Sequence, residues 1–263
     1  MSRQINILTK QTKKMNNIPQ QGFYFDGKNG RHDYFYDGKR MTGCTTILNV
    51  IAKPFLIQWA ANMAVDYVIE KCKNAPDEMT MRLHIAEWLI EARTAHRRKK
   101  EKAGDWGTEM HLWVENCINS IIEGKEPLEL PKDEKQIECA KNFSKWITDN
   151  KVKFIASERI IYSKNLFLGG IVDIICEIGG ETWLADIKTS SGIYKEAWIQ
   201  MAGYAIMLKE MGFDRPIKGF IVLNLRKNGV FEEKRSINNE DFEEMFKACL
   251  TIYRISEKIE KTI

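Results

Sequence analysis

The chain has 263 residues, of which 44% are hydrophobic and 29% are charged. This composition is typical of a soluble globular protein and excludes a wholly disordered or fibrous chain. No apolar run approaches the ~18 residues that a membrane-spanning helix needs, and residues 1–20 lack the apolar core of a signal peptide. Lysine and arginine number 40 against 36 acidic residues, a small excess that permits a polyanionic partner without arguing for one. We therefore expect an intracellular, cytoplasmic protein with no membrane contact.

The six cysteines give no metal signature. They stand at positions 44, 72, 117, 139, 176 and 249, and no two have the Cys-x-x-Cys spacing of zinc ribbons and iron–sulfur sites. We expect buried free thiols, which are typical of a reducing compartment.

The N-terminal region begins with a polar stretch and continues with strand patterns. Residues 1–20 are polar, so we predict a flexible N-terminus. The aromatic run 23–25 ends in Asp26-Gly27, and a second run, 34–36, ends in Asp37-Gly38. Asp-Gly after an aromatic run is typical of a tight turn between strands, so the pattern predicts two adjoining β-hairpins.

Helical patterns follow the hairpins. Pro54 suits a first helical turn, and apolar residues follow it at helical spacing. Asp77 is predicted to open a second helix, which runs into a basic segment and ends by Gly104. A third helix is predicted from about Gly107 and a fourth from Lys132. The basic segment consists of Arg97, Arg98, Lys99 and Lys100.

From Lys151 the pattern changes to short β-rich runs separated by Gly-Gly pairs. The predicted strands are 154–162, 170–178, 182–188, 219–225 and 230–236, and the predicted helices are 195–211 and 239–261. This order predicts an α/β core with a mixed central sheet flanked by helices, behind a helical N-terminal region. We place the hairpins and helical region at 21–150 and the core at 151–263, and expect one cooperative unit because no flexible linker separates them.

Two carboxylates and one lysine occupy neighbouring predicted strands. Asp173 lies in an otherwise apolar strand, and Asp186 and Lys188 lie two residues apart on the next. Because strand side chains alternate between faces, Asp186 and Lys188 point to the same side of the sheet. A hairpin at Gly179-Gly180 would bring Asp173 close to Asp186. Paired carboxylates are hard oxygen ligands that suit Mg²⁺ or Mn²⁺, beside which a lysine can hold or activate a water.

An Asp-x-Lys sequence has a simpler interpretation as well. Lys188 can form a salt bridge with Asp173 or Asp186 that has no catalytic role. These three residues alone leave both interpretations open.

Four further motifs accompany the two carboxylates and the lysine in a fixed order along the chain. They are Gly107 with His111 on an upstream helix, Glu158 on the preceding strand, Gly169-Gly170 just before Asp173, and Gln200 with Tyr204 on the following helix. The order resembles the PD-(D/E)XK nuclease superfamily, and more narrowly its RecB-like exonuclease branch. The resemblance covers about residues 105–205. The segment from Thr45 to Trp59 is also similar to phage-type and mitochondrial genome maintenance exonucleases.

The resemblance implies a restriction-endonuclease-like fold and a set of site residues. The implied metal ligands, for one or two Mg²⁺ or Mn²⁺ ions, are His111, Asp173, Asp186 and the backbone carbonyl of Ile187. The implied catalytic residues are Lys188, Asp186, Asp173 and Glu158. Relatives that hold an iron–sulfur cluster carry four cysteines with a close set near the C-terminus; this chain has only Cys249 there, so we expect no cluster.

Two groups of residues are candidates for contacting DNA. The resemblance implies that Gln200 and Tyr204, one turn apart on a helix, contact phosphate or brace Lys188; the alternative is a surface glutamine and a packed tyrosine. The basic segment, Arg97 to Lys100, is either a solvated helix end, which suits the helix dipole, or a surface that holds a DNA strand near the site.

The implied function is a metal-dependent deoxyribonuclease, an exonuclease that hydrolyses phosphodiester bonds from DNA ends in repair, recombination or phage replication. The alternatives are a structure-specific endonuclease and a non-catalytic protein that binds DNA ends. The implied partner is single- or double-stranded DNA with a free end, together with a recombination or replication protein.

Overall fold

The computed structural model describes residues 21–28, 32–126 and 128–263. The chain divides into two compact units. The first takes in the chain up to Val50 together with Glu115–Ile263, and the second is Ile51–Val114. These boundaries differ from the one we placed at residue 150, and folding as one cooperative unit stays a prediction. The predicted flexible segment 1–20 lies outside the described residues. In the described part of the chain, no helix combines the length and the apolar character needed to cross a bilayer.

The first unit contains all eight strands found in the described residues. They are β1 (Phe23–Asp26), β2 (Asp33–Tyr36), β3 (Lys39–Gly43), β4 (Lys153–Ser163), β5 (Leu168–Ile178), β6 (Glu181–Lys188), β7 (Ile217–Leu225) and β8 (Phe231–Ser236). Its helices are α1 (Cys44–Ile47), followed by a 3₁₀ turn at Leu48–Val50, then α5 (Glu134–Asp149), α6 (Lys195–Glu210) and α7 (Asn239–Glu260). The end of α4 (Ala95–Ile122) also belongs to it.

The strands form one mixed sheet in the order β1-β2-β3-β5-β6-β7-β8, with β4 added along β5. Strand β5 pairs with β4 on one edge; its other edge pairs in parallel with β3 at Leu168-Gly169 and antiparallel with β6 from Ile174 onward. Strands β6 and β7 are parallel and are connected by α6. Helix α6 packs on β4 to β7, and α7 packs on α6. The predicted mixed sheet flanked by helices is therefore confirmed.

Two of the predicted tight turns are present, and one is not. Asp37-Gly38 and Gly179-Gly180 both have positive φ angles, 47° and 71° in the first pair and 62° and 83° in the second. Positive φ at both central residues matches the twist of a two-residue hairpin, and Gly and Asp adopt it most readily. The prediction of a tight turn at Asp26-Gly27 was wrong, because β1 ends at Asp26 and its ladder partner is Asp33.

The second unit is helical. It contains α2 (Phe55–Lys73), α3 (Glu78–Ala92) and α4 up to Val114. Asp77 caps α3 as predicted, because its carboxylate accepts the N–H of Thr80 at 2.6 Å.

The prediction that one helix runs from Asp77 through the basic segment to Gly104 was wrong. Helix α3 ends at Ala92, and the basic segment lies in the first turns of α4, which continues through Gly104 and Gly107. A glycine inside a helix costs only about 1 kcal/mol, so long flanking helical sequence overrides it. Arg97 to Lys100 therefore stand near a helix N-terminus, where the dipole does not favour cations.

Candidate metal centre

The two aspartates predicted as metal ligands lie opposite one another where β5 and β6 part. The last ladder pair of these strands is Ile174 with Ala185, so Asp173 and Asp186 are the next pair in the same register. The backbone N–H of Ile187 donates to Asp173 Oδ2 at 2.8 Å. The Asp173 carboxylate thus takes the place of a backbone carbonyl, which fixes its orientation beside β6.

Lys188 lies beside Asp186 on the same face of β6, as strand alternation predicts. Its Nζ is 2.5 Å from Asp186 Oδ2, and the side chain of Asp186 is only 4% exposed against 32% for Lys188. Burial lowers the pKa of Lys188, but Asp186 and Asp173 outweigh burial and leave that pKa above its ordinary value. Lys188 is therefore an ammonium at neutral pH. The salt bridge that we considered as the simpler interpretation is present as a contact.

Glu158 lies opposite Asp173 on the other neighbouring strand. The β4–β5 register pairs Ser157 with Ile174 and Arg159 with Val172, which leaves Glu158 facing Asp173. Its φ is 46°, a backbone conformation that costs a non-glycine residue roughly 1 kcal/mol or more. Such strained residues persist where the surrounding structure holds them, and they are concentrated at functional sites.

The carboxylates around Glu158 change its titration. Burial raises the pKa of Glu158 to about 8, and the negative charges of Asp173, Glu115 and Asp186 act in the same direction. Burial also raises the pKa of Asp173, although Lys188 and the Ile187 N–H oppose that shift. Three carboxyl groups, of Glu158, Asp173 and Asp186, thus lie near Lys188, and burial together with the neighbouring negative charges favours the protonated form of Glu158.

Glu115 is a member of this cluster that sequence reasoning did not single out. It lies on α4 in the first unit, and its charge acts on Glu158. The signal was available, because Glu115 follows His111 by four residues and therefore shares a helix face with it.

The two glycines before Asp173 make room for aromatic rings. A Cβ at Gly169 would lie 2.2 Å from Cγ of Tyr34, and a Cβ at Gly170 would lie 2.6 Å from Cε1 of Tyr204. Both distances are far below van der Waals contact, so only glycine fits at either position. The Gly-Gly pair thus lets β5 approach β2 on one side and α6 on the other.

Gln200 and Tyr204 are buried and bonded to each other. The Gln200 amide donates to the Tyr204 hydroxyl at 2.7 Å and to Thr45 Oγ1 at 2.6 Å. Their exposed fractions are 9% and 5%. These bonds join α6 to α1, and a role of either side chain in binding DNA phosphate or bracing Lys188 stays a prediction.

The remaining predicted residues lie in the second unit or are defined by backbone atoms. His111 and the basic segment belong to the unit Ile51–Val114, so their roles as metal ligand and DNA surface stay predictions. Within that unit, Arg98 donates to Thr94 Oγ1 at 2.7 Å and lies 4.9 Å from the Tyr67 ring centre. The carbonyl of Ile187 likewise stays a predicted ligand.

The donor set suits a hard divalent cation. Asp173, Asp186 and Glu158 offer carboxylate oxygens, the ligands that Mg²⁺ and Mn²⁺ prefer. Burial is the main cause of the raised pKa of Glu158, and the neighbouring carboxylates add to it; a divalent ion would offset that second contribution. As the side chains stand, no three His, Cys, Asp or Glu groups among the described residues are arranged to hold a metal ion.

Comparisons with known proteins add no assignment. No family model matches the chain, and no curated protein matches it. Among solved structures, the crystal structure of a protein designated SSO0001 aligns with a TM-score of 0.26 and 13% identity, over 44% of this chain. The chain spans 57% of that structure's chain. A similarity of this size carries no argument about fold or function.

Proposed function

We propose that this protein is a metal-dependent nuclease that hydrolyses phosphodiester bonds of DNA, and that it acts from strand ends as an exonuclease. The observation that carries the proposal is the arrangement of Asp173, Asp186 and Lys188, with Glu158 opposite Asp173, where β5 and β6 part. The sequence order that resembles RecB-like exonucleases supports the choice of DNA ends as substrate.

The carboxylates would hold the ion. Asp173 and Asp186 are the principal ligands and Glu158 a further one; when bound, the ion neutralises charge on the phosphate that is attacked. Asp173 uses Oδ2 to accept the Ile187 N–H, so its orientation is set before any ion binds. Pre-set donors lower the reorganisation that the reaction requires.

Lys188 acts as a hydrogen-bond donor and a positive charge. Because Asp186 and Asp173 keep it protonated, it can hold the attacking water or a phosphate oxygen and stabilise the charge that develops there. An ammonium at neutral pH cannot itself accept the proton of that water. Glu158, which faces Asp173 across the β4–β5 ladder, is the neighbouring carboxylate that can accept that proton.

The proposal is tested by digestion of end-labelled DNA with the wild-type protein and two variants. Substrates are single- and double-stranded DNA in linear and circular forms, with Mg²⁺, Mn²⁺ or EDTA. We expect cleavage of linear DNA with metal, none in EDTA and none by Asp186→Asn. Glu181→Gln, which removes an exposed carboxylate paired with Lys218 at 2.9 Å, is the matched control and should cleave like the wild type.

Two results would contradict the proposal. Metal-dependent cleavage by Asp186→Asn at the wild-type rate would contradict the assignment of the metal centre. Absence of cleavage on every substrate would contradict the proposed nuclease activity. Cleavage of circular DNA would retain the nuclease and replace the exonuclease with an endonuclease.

A further inference from the structure

Beside the metal centre, the segments that follow the carboxyl ends of β6 and β7 form an open depression of ≈ 310 Å³. Its lining residues are Thr189, Ser190, Ser191, Arg226, Lys227 and Asn228; we call it the β6–β7 end pocket. Three hydroxyls, one amide and two cations line it, with no carboxylate among them. Such a lining is suited to an anion with several oxygen acceptors, and above all to a phosphate group.

The pocket is held in shape by its own backbone and by α5. Arg226 N–H donates to the Val230 carbonyl at 2.9 Å, and Gly229 N–H donates to the Arg226 carbonyl at 2.8 Å. The thiol of Cys139, on α5, donates to the same Arg226 carbonyl at 3.4 Å. The turn after β7 is therefore fixed from both sides.

The cations of the pocket are only partly neutralised. Arg226 forms an ion pair with Glu232, which also lies 3.3 Å from Lys234. Nonetheless, Nε of Arg226 is buried and has no hydrogen-bond partner among the described residues. A buried donor without a partner is unfavourable, and a bound oxygen acceptor would satisfy it.

The residues that line the pocket adjoin Lys188 along the backbone. Thr189 follows Lys188 directly, so residues 189–191 lie within about 10 Å of Lys188 along the backbone. On β7, Asn224 pairs with Lys188 and precedes Arg226 by two residues. Asn224 is fully buried, and neither polar atom of its side chain has a partner among the described residues. Polar groups thus extend from Lys188 to the pocket along both strands.

We propose that the β6–β7 end pocket binds a backbone phosphate of the same nucleic-acid strand that is hydrolysed at the metal centre beside Lys188. This inference rests on the proposed nuclease function and adds a subsite to it. Proteins with parallel strands commonly bind their ligands just beyond the carboxyl ends of those strands. The pocket and Lys188 both lie at the carboxyl ends of β6 and β7. Lys227 supplies an exposed positive charge, and Thr189 supplies a hydroxyl donor. The Ser190 hydroxyl already donates to the Gly192 carbonyl at 2.7 Å, and the Ser191 hydroxyl is bonded to that of Tyr194 at 2.9 Å.

The test is the binding of a short fluorescein-labelled single-stranded DNA, measured by anisotropy in EDTA so that the strand stays intact. We expect Lys227→Gln to raise Kd several-fold and to reduce the slope of log K against log salt by about 0.7, the value for one lost phosphate contact on a single strand. Asn228→Asp keeps the oxygen that accepts the Val230 N–H at 3.3 Å and adds a negative charge. It should weaken binding as well.

The matched control is Lys153→Gln. Lys153 is exposed, pairs with Glu177 at 3.0 Å and lies at the start of β4, beside the end of β5 remote from Lys188. Its Kd and salt slope should equal those of the wild type. Thermal melts of all variants establish that each is folded.

Three results would overturn the pocket. If both pocket variants keep the wild-type Kd and salt slope, the phosphate site is contradicted, while the proposed nuclease function is unaffected. An equal loss in Lys153→Gln would show a general effect of surface charge. If the wild-type protein binds no DNA and cleaves none in the digestion assay, both the proposed phosphate site and the proposed nuclease function are contradicted.

Discussion

Charged residues lie near both ends of the β5–β6 hairpin, and the two places differ in burial and charge balance. At the hairpin end, near Gly179-Gly180, the charged residues are Lys153, Glu177, Glu181, Arg215 and Lys218. Each of these carboxylates has a basic partner, at distances of 2.9 to 3.6 Å, and the lysines are exposed. Pairs of this kind contribute about 0–1 kcal/mol and need no further function.

At the carboxylate end, which comprises Glu158, Asp173, Asp186 and Lys188, the balance is reversed. One ammonium faces three carboxylates, Asp186 is nearly completely buried, and the pKa of Glu158 rises to about 8. The same residue types therefore form exposed ion pairs in one place, with three basic groups to two acidic ones, and a largely buried group of three carboxyls beside one lysine in the other. The number and burial of the neighbouring charged groups therefore decide whether an Asp-x-Lys pattern is a surface ion pair or part of a candidate metal centre.

The largest expected effect is on the cleavage rate, when one lysine at each of the two places is replaced by alanine. Lys188→Ala should lower cleavage by roughly 10²–10⁴, the range for a positioned proton-transfer or charge-stabilising group. Lys218→Ala, at the hairpin end, should leave the rate unchanged. Calorimetric titration with Mn²⁺ should show that Lys188→Ala binds metal at least as tightly, because the variant loses a positive charge. Wild-type cleavage by Lys188→Ala would make Lys188 a salt-bridge partner only.

The next largest effect is on the free energy of unfolding, and it compares the hydrogen bonds of Gln200 on α6 with the hairpin end. Gln200→Ala removes the donor to Thr45 and Tyr204, so it should lower the free energy of unfolding by about 1–3 kcal/mol, the cost of unpaired buried groups. Glu181→Gln at the hairpin end should change it by no more than about 1 kcal/mol. Urea denaturation of both variants measures the difference. Equal stability would show that the Gln200 network is not structural.

A smaller effect distinguishes the two places by pH. The pKa of Glu158 is about 8 in the folded protein and near 4.3 when unfolded, so the folded state binds more protons between these values. Stability without metal should therefore fall as the pH rises from about 5 to about 8.

The measurement is Tm in EDTA across that range. Glu158→Gln should flatten the fall by at least about 2 °C; Asp173, whose pKa is also raised, keeps part of it. Glu177→Gln at the hairpin end should reproduce the wild-type profile. A Glu158→Gln profile identical to that of the wild type would show that Glu158 titrates normally.

The smallest effect is on the reactivity of the thiols, which depends on their burial and is not expected to differ between the two places. Burial raises the pKa of Cys176 to about 12 and that of Cys139 to about 11, and Cys44 beside Gln200 is also buried. At pH 8 these thiols should react slowly with Ellman's reagent, whereas Cys72, which is partly exposed, should react first. The denatured protein should titrate six thiols, and rapid labelling of Cys176 in the folded protein would contradict its burial.

Local sequence patterns predicted most of the elements because their physical causes are local. Alternation and apolar periodicity located β4 to β6 and α6, and the Asp77 cap marked the start of α3. The same local reasoning failed at Gly104, where a long helix continues through a residue that only weakly opposes it. It also failed at Asp26-Gly27, where the sequence permits a tight turn that the chain does not make.

For the site, the amino-acid sequence by itself determined that Asp173, Asp186 and Lys188 would meet, since a Gly-Gly hairpin and a period of two fix which residues face each other. Only the tertiary structure decided that Glu158 faces Asp173 with a positive φ, that Glu115 acts on it, and that the turns after β6 and β7 enclose one pocket. These features depend on the pairing of β4 with β5 and of β6 with β7, contacts between segments distant in the chain. Register and burial across such contacts are set by packing of the whole sheet, which no local pattern records.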